Sequence, residues 1–406
     1  PMTQAHTIVA DASPAGAAIP VNLAPRRVFV IGATGTIGRA TVRALVQRGH
    51  EVVCFVRPRA GVQGALAPDD SARLLAGATV RFGDVSDAAS LARDGFRGER
   101  FDALVSCLAS RTGAPRDAWA IDHQAHLHAL AAAQQAGVTH MVLLSAICVQ
   151  KPLLGFQHAK LAFEKALIES GLNYSIVRPT AFFKSLSGQI ERVRKGKPFL
   201  VFGDGTLTAC KPISDGDLGA YLADCLSDTR RHRRVLPIGG PGDAITPRQQ
   251  GERLFALLGQ PARFKQVPVG LLDAIIAVLG LGGRLLPALA AKAELARIGR
   301  YYATESMLVL DPVTGRYDAA ATPSTGTETL FDFYGRLVRG EAERIEETTR
   351  REGAPVALSS RRRELFLPGL LVVRNLMEHV GAKTLHHTRV DLGEVLLSRL
   401  RHSVAR

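Results

Sequence analysis

Acidic residues are in short supply. The chain has 37 Asp and Glu against 51 Lys and Arg, a formal charge of +14 and a pI near 10.0. Aromatics are also sparse, 6% of 406 residues with a single Trp, so the basic surface lacks the stacking platforms of single-strand nucleic-acid binders. No zinc-finger, RNA-recognition or helix-turn-helix spacing is present either, and no nucleic-acid partner is expected. The positive charge is left for anionic small molecules or an anionic membrane face. Cysteine is scarce and unpaired: Cys54, Cys107, Cys148, Cys210 and Cys225 form no CxxC pair. They read as reduced thiols in a cytosolic-type compartment, with neither a disulfide framework nor a metal site. The longest apolar stretch, Val267 to Ala291, is broken by Asp273, Arg284, Pro287 and several glycines. It reads as a buried or surface-docking helical hairpin and not as a membrane span. Up to Pro25 there is no basic start with an apolar core behind it, and Arg is absent before Arg26. The expectation is a flexible N-terminal segment, residues 1–25, that is neither a secretory signal nor a transit peptide, on a cytoplasmic protein.

What is present is globular material, 46% hydrophobic and 22% charged, enough for one large or two to three ordinary domains. From Arg27 the pattern becomes regular. An apolar strand (Val28 to Ile31) leads into a Gly-rich turn, a helix (Ile37 to Arg48), a Gly49-His50 break and a second strand (Glu51 to Val56). Further strands read at Thr79 to Phe82, Ala103 to Cys107, His140 to Ser145 and Tyr174 to Arg178, separated by helical patterns. Alternation of this kind predicts an α/β fold, a Rossmann-like, doubly wound parallel sheet. After Pro179 the regularity fades. The expected division is a dinucleotide-binding domain over 26–185, a smaller substrate lobe over 186–340, and a charged C-terminal extension over 341–406. The extension holds Arg361-Arg362-Arg363 and the apolar stretch Leu365 to Val373, and reads as a solvated helical face.

Gly32-Ala33-Thr34-Gly35-Thr36-Ile37-Gly38 lies between a predicted strand and a predicted helix, the context that makes a glycine pattern informative. Gly32 and Gly35 let the chain turn and approach a pyrophosphate, and Gly38 lets the helix pack close to the sheet. Phosphates would meet unpaired N–H groups at the helix N-terminus. A binder of NAD usually ends the second strand with a carboxylate for the ribose hydroxyls. Here that position is Arg57, with Arg59 just beyond. A guanidinium pairs with a 2′-phosphate, so NADPH is the expected cofactor. Asp84 and Val85, after the third strand, would flank the adenine, although Asp84 reads equally well as a helix cap.

The glycine loop, Gly83-Asp84-Val85, the Leu143-Leu144-Ser145 strand end, Lys160 and Val177-Arg178-Pro179-Thr180 together resemble an atypical short-chain dehydrogenase/reductase over roughly residues 26 to 330. The resemblance implies that Ser145 and Pro179 join the cofactor contacts. It also implies that Lys160 holds the nicotinamide ribose and keeps positive charge near the reacting centre. In that superfamily a Tyr four residues before the Lys donates the proton, whereas here the position is Phe156. Carbonyl chemistry thereby loses its acid. Hydride delivery to a carbon-carbon double bond conjugated to an electron sink remains open.

His158-Ala159-Lys160-Leu161 with Glu164, Ala181-Phe182-Phe183-Lys184-Ser185 after Thr180, and Phe202-Gly203-Asp204-Gly205 through Lys211-Pro212-Ile213-Ser214 are similar to the NADPH-dependent divinyl chlorophyllide 8-vinyl-reductases of phototrophs. That resemblance implies a magnesium tetrapyrrole as substrate, Phe156, Phe182 and Phe183 beside it, and a place at the periphery of the photosynthetic membrane. The candidate proton donors are His158, Cys148 or water, with His158 preferred because an imidazole titrates near neutrality. The basic run Lys184, Arg192, Arg194, Lys195 and Lys197 reads either as an attractor for the substrate carboxylate or as a solvated face. Two other classes stay open: an isoflavone-reductase-like enzyme on another conjugated small molecule, and an NADPH-binding sensor or assembly protein without turnover.

Overall fold

The computed structural model describes residues 24–59, 67–283 and 287–340. The expected N-terminal segment, apart from its last two residues, and the whole charged extension lie outside them. Strands β1 (Arg27–Ile31), β2 (Glu51–Val56), β3 (Thr79–Phe82), β4 (Ala103–Ser106), β5 (His140–Leu144) and β6 (Asn173–Pro179) form where the apolar runs predict them. Each differs from the predicted span by no more than one residue at either end. They join a parallel sheet in the order β3-β2-β1-β4-β5-β6. The order reverses direction between β1 and β4, the switch point at which open α/β sheets open a crevice.

Successive side chains on these strands face opposite sides of the sheet. Val28 and Val30 enter one apolar layer, with Val52, Cys54, Val105, Leu218 and Leu222. Phe29 and Ile31 enter the other, with Val53, Phe55, Leu104, Leu130 and Phe163. Helices cover both faces, and this is why the strands read as unbroken apolar runs. Removing one such side chain from water is worth about 2 kcal/mol.

The sheet does not end at residue 185. Past one short strand, Phe199–Phe202, and several helices, the chain returns as Arg234–Ile238 and adds a seventh parallel strand beside β6, with Ser175 opposite Arg234 and Pro179 opposite Ile238. Helix Asp215–Asp224 packs on α1 (Thr36–Gln47) at the same time. At Gly219 an added Cβ would stand 2.6 Å from the carbonyl carbon of Ala40. The fading of pattern after Pro179 thus reflects an excursion and not a clean boundary. In the lobe itself, Phe199–Phe202 pairs in parallel with Phe264–Val267. Helices Val269–Gly283 and Pro287–Thr304 pack against each other, with Asp273 and Arg300 paired across them. No helix among the described residues is long and apolar enough to cross a membrane. Arg192 and Arg194, expected at the cleft or in solvent, instead tie the lobe together. Arg192 Nε donates to the Pro198 carbonyl at 2.7 Å, and Arg194 donates to the carbonyls of Leu337 and Val338.

Candidate active site

Because the sheet is parallel, the carboxyl ends of its strands share one edge, and the predicted site residues fall along it. Gly32 follows β1 with φ +74°, and a Cβ there would lie 2.3 Å from both the carbonyl carbon of Cys107 and the amide of Leu108. The glycine loop therefore touches the β4 loop across the switch point. At Gly38 a Cβ would be 2.2 Å from the Gly32 carbonyl oxygen. Gly35 is different: its Cβ would meet protein only at ordinary contact distance, 3.4 Å, and the residue is exposed. Gly35 caps α1 without a side-chain hydrogen bond, and no acidic residue occupies the first turn. The helix N-terminus thus keeps its donors for an anion beside an exposed glycine that puts no side chain in the way, which fits a dinucleotide phosphate. Thr34 and Thr36 flank it half-buried, while Ile37 turns into the core.

Toward β2 and β3, Arg57 is exposed at the strand end. Partial burial, then the charge of Arg111, hold its guanidinium below the usual arginine range, while Asp84 and Asp117 oppose the shift. Asp84 is exposed beyond β3 and accepts from Ser86 N at 2.9 Å, closing its own turn. The cap of the following helix is Asp87, which accepts from Ala89 N, so Asp84 is not the helix cap. Val85 is buried in the core.

Toward β5 and β6 the structure adds what sequence reading missed. The hydroxyl of Ser145 donates to Glu164, which also pairs with Arg178 from β6. Lys160 Nζ donates to Asp122 Oδ1 at 3.0 Å, and the Asp122 side chain has no exposed surface. Asp122 sits in a π-type helical stretch, Trp119–Ala125. It also accepts from Ser110 N at 3.2 Å, and its Oδ2 has no partner. Burial opposes its ionisation, yet Lys160 and the Ser110 N–H hold its carboxyl below the usual range. A cavity of about 10 Å³ between Asp122, Ser145, Lys160 and His126 has roughly the room and the polar lining that one water needs. His126 bridges Ser106 Oγ and the Ile121 carbonyl, both at 2.8 Å. Burial lowers its pKa to about 4. A larger cavity, about 340 Å³, lies away from this edge between helices Pro247–Leu257 and Leu330–Arg339, lined by Arg253, Phe331 and Arg336.

The remaining candidates separate. Phe156 is buried in an apolar cluster with Cys148, Tyr301 and Met307. His158 lies on the exposed side of helix Gly155–Glu169. Residues two apart on a helix face different ways, so the structure does not bring His158 to Lys160. Cys148 is buried, and burial pushes its thiol pKa up. Pro179 is buried at the end of β6, opposite Ile238. Phe182 is half-buried beside it, whereas Phe183 turns into the lobe's core, its ring 5.6 Å from that of Phe333. Packing claims Phe183 fully, whereas Phe182 packs on the sheet's apolar core with part of its ring exposed.

Comparison with known proteins accords with this edge. Residues 32–229 match the NAD(P)H-binding family. The chain is 53% identical over 325 residues to a divinyl chlorophyllide a 8-vinyl-reductase of Oryza sativa subsp. indica, covering 78% of this chain and 80% of that one. It is 50% identical over 343 residues to the enzyme of the same name from Zea mays, covering 82% and 86%. The chain belongs to the divinyl chlorophyllide a 8-vinyl-reductase family. An NADPH-dependent quinone oxidoreductase of Escherichia coli shares the fold, with a TM-score of 0.55 at 20% identity over 76% of this chain and 99% of that one. For a member of this reductase family, an NAD(P)H-binding oxidoreductase, the edge offers a candidate dinucleotide cradle and an anchored lysine. Asp122 carried a legible signal: Ala118, Asp122, Ala125, Ala129 and Ala133 recur at helical spacing, an acid placed on an otherwise apolar stripe.

Proposed function

We propose that this reductase converts the 8-vinyl group of divinyl chlorophyllide a to ethyl and takes NADPH in preference to NADH. The observation that carries the reading is the pair of residues one turn apart on helix Gly155–Glu169: an anchored Lys160, and a buried Phe156 where carbonyl reducers keep a phenol. Reduction of a ketone needs an acid at the developing alkoxide. A vinyl group conjugated to a macrocycle forms no alkoxide: the ring spreads the charge, and the proton can come from water or another group.

When bound, NADPH supplies a hydride. The residues fitted to hold it are the glycine loop and the open N-terminus of α1 at the diphosphate, Arg57 at the 2′-phosphate, and Lys160 at the nicotinamide ribose. Asp122 fixes the Lys160 ammonium so that its charge is in place before reaction and needs no reorganisation. Phe182, half-buried past the end of β6, would offer the macrocycle a flat apolar surface. The tetrapyrrole carboxylate suits the protein's net positive charge. Contact with a pigment-bearing membrane belongs to the same reading: in the apolar helix Val269–Gly283 Leu272 is fully buried, while Leu281 is 69% exposed.

Purified protein mixed with divinyl chlorophyllide a and either NADPH or NADH tests the proposal, with the monovinyl product followed by absorbance and chromatography. Rapid conversion with NADPH and slow conversion with NADH is expected. Tight NADPH binding with no pigment conversion would make the protein a sensor or assembly factor instead.

A further inference from the structure

We propose that Tyr302 delivers the proton that completes vinyl reduction, taking the part that Phe156 cannot play. This rests on the vinyl-reductase reading and adds the acid that it leaves unnamed. Helix Pro287–Thr304 packs beside Phe156 through Ile298, Tyr301 and Tyr302. A Cβ added at Gly113 would lie 3.1 Å from Ile298 of that helix and 3.6 Å from Phe156. One turn on, Tyr301 and Tyr302 meet Cys148, in the turn Ile147–Gln150 just beyond Ser145. Tyr302 packs on the same apolar cluster that holds Phe156. A phenol is thus supplied to that cluster from the second lobe and not from the Lys160 helix.

The hydroxyls of the two tyrosines are engaged differently. Tyr301 is buried and donates to the carbonyls of Cys148 at 2.8 Å and Lys151 at 3.2 Å, so its proton is committed to the fold. Tyr302 is half-buried, and its hydroxyl reaches the Cys148 sulfur at 3.8 Å. A thiol sulfur is a weak acceptor, so this proton is easily redirected to a stronger base. Other phenols are spent elsewhere: Tyr317 on Glu305, Tyr334 on the Leu186 carbonyl. Burial keeps the Tyr302 phenol protonated across the working pH range.

The step balances. Hydride from NADPH forms a C–H bond at the terminal vinyl carbon, and the π pair moves to the inner carbon and the ring. That pair takes the Tyr302 proton as the O–H bond breaks, forming the second C–H bond. Water reprotonates the phenolate. In sum, NADPH, one proton and the vinyl group become NADP+ and ethyl.

Tyr302→Phe tests this. The expected result is a fall in kcat of about a hundredfold or more, the usual contribution of a positioned acid. The KM for pigment and the NADPH dissociation constant, read by fluorescence titration without substrate, should change little. Tyr301→Phe should lower thermal stability and spare kcat. Adding Phe156→Tyr to Tyr302→Phe should restore part of the rate. If Tyr302→Phe does not fold, fluorinated tyrosine at position 302 keeps the shape and lowers the phenol pKa. The solvent deuterium isotope effect on kcat must then change, because the proton in flight comes from a more acidic phenol. Full turnover by folded Tyr302→Phe, or an unchanged isotope effect in the fluorinated protein, overturns the inference. Absence of pigment conversion by the unmodified protein overturns the vinyl-reductase reading instead.

Discussion

Lys160 Nζ lies 3.0 Å from Asp122 Oδ1, joining the helix after β5 to the one after β4 beneath the candidate reaction centre. The lysine is 12% exposed and the aspartate fully enclosed, so neither charge is stable there without the other.

Lys160→Ala is therefore expected to do two things. Turnover should fall on the order of a hundredfold or more through loss of a preorganised charge. The protein should also lose stability, because the variant strands the Asp122 carboxylate, although lysine is not part of the apolar core. Asp122 has a depressed pKa in the folded state. Its contribution to stability is present above the unfolded carboxyl range and is lost as pH falls through the folded value. In Lys160→Ala that acid-side loss should disappear, which thermal melts from pH 7 down to pH 3 would read. A wild-type melting profile in the variant would refute the coupling.

Replacing Arg57 with Glu should raise the NADPH dissociation constant at least tenfold, about 1.4 kcal/mol or more, for a lost charge-assisted pair. NADH binding should be spared or improved. Titration of both cofactors checks this, and unchanged NADPH affinity removes Arg57 from the 2′-phosphate site.

Phe156→Tyr alone should give little acceleration. The ring is buried against Cys148 and Tyr301, so an added hydroxyl costs packing. Deuterium transferred from labelled NADPH should appear at the terminal carbon of the new ethyl group, since attack there leaves charge where the macrocycle spreads it. Label at the inner carbon would refute conjugate addition.

Two of the buried histidines, His126 and His140, set a second pH response. Burial lowers His126 to about 4 and His140, beside His232, to about 3. The unfolded chain protonates both near pH 6.5. Stability is therefore full above that value and falls with decreasing pH toward 4, by up to about 1.4 kcal/mol per pH unit for each group. Denaturant titrations at stepped pH should show this slope, and His140→Gln should shallow it.

Much of the candidate dinucleotide cradle was legible because its determinants are local. A glycine with positive φ, a helix start without an acid, and apolar runs of strand length are properties of consecutive residues. The parallel sheet and the edge that collects Gly32, Arg57, Asp84, Ser145 and Pro179 follow from that alternation alone. Local patterning also argued against a disulfide frame and a membrane span; in the structure all five thiols are free, and among the described residues no helix is long and apolar enough to cross a membrane.

Tertiary structure decided which side chains meet. Asp122 lies 38 residues from Lys160 and Tyr302 lies 154 residues from Cys148, and no periodicity encodes such distances. The return of the chain as a seventh strand, the capture of Ser145 by Glu164, and the turning of Phe183 into the lobe's core are likewise outcomes of packing. The physical reason is one of range. Backbone preference and hydrophobic period act over a few residues, whereas a buried charge finds its partner only when separate helices close over the same cavity.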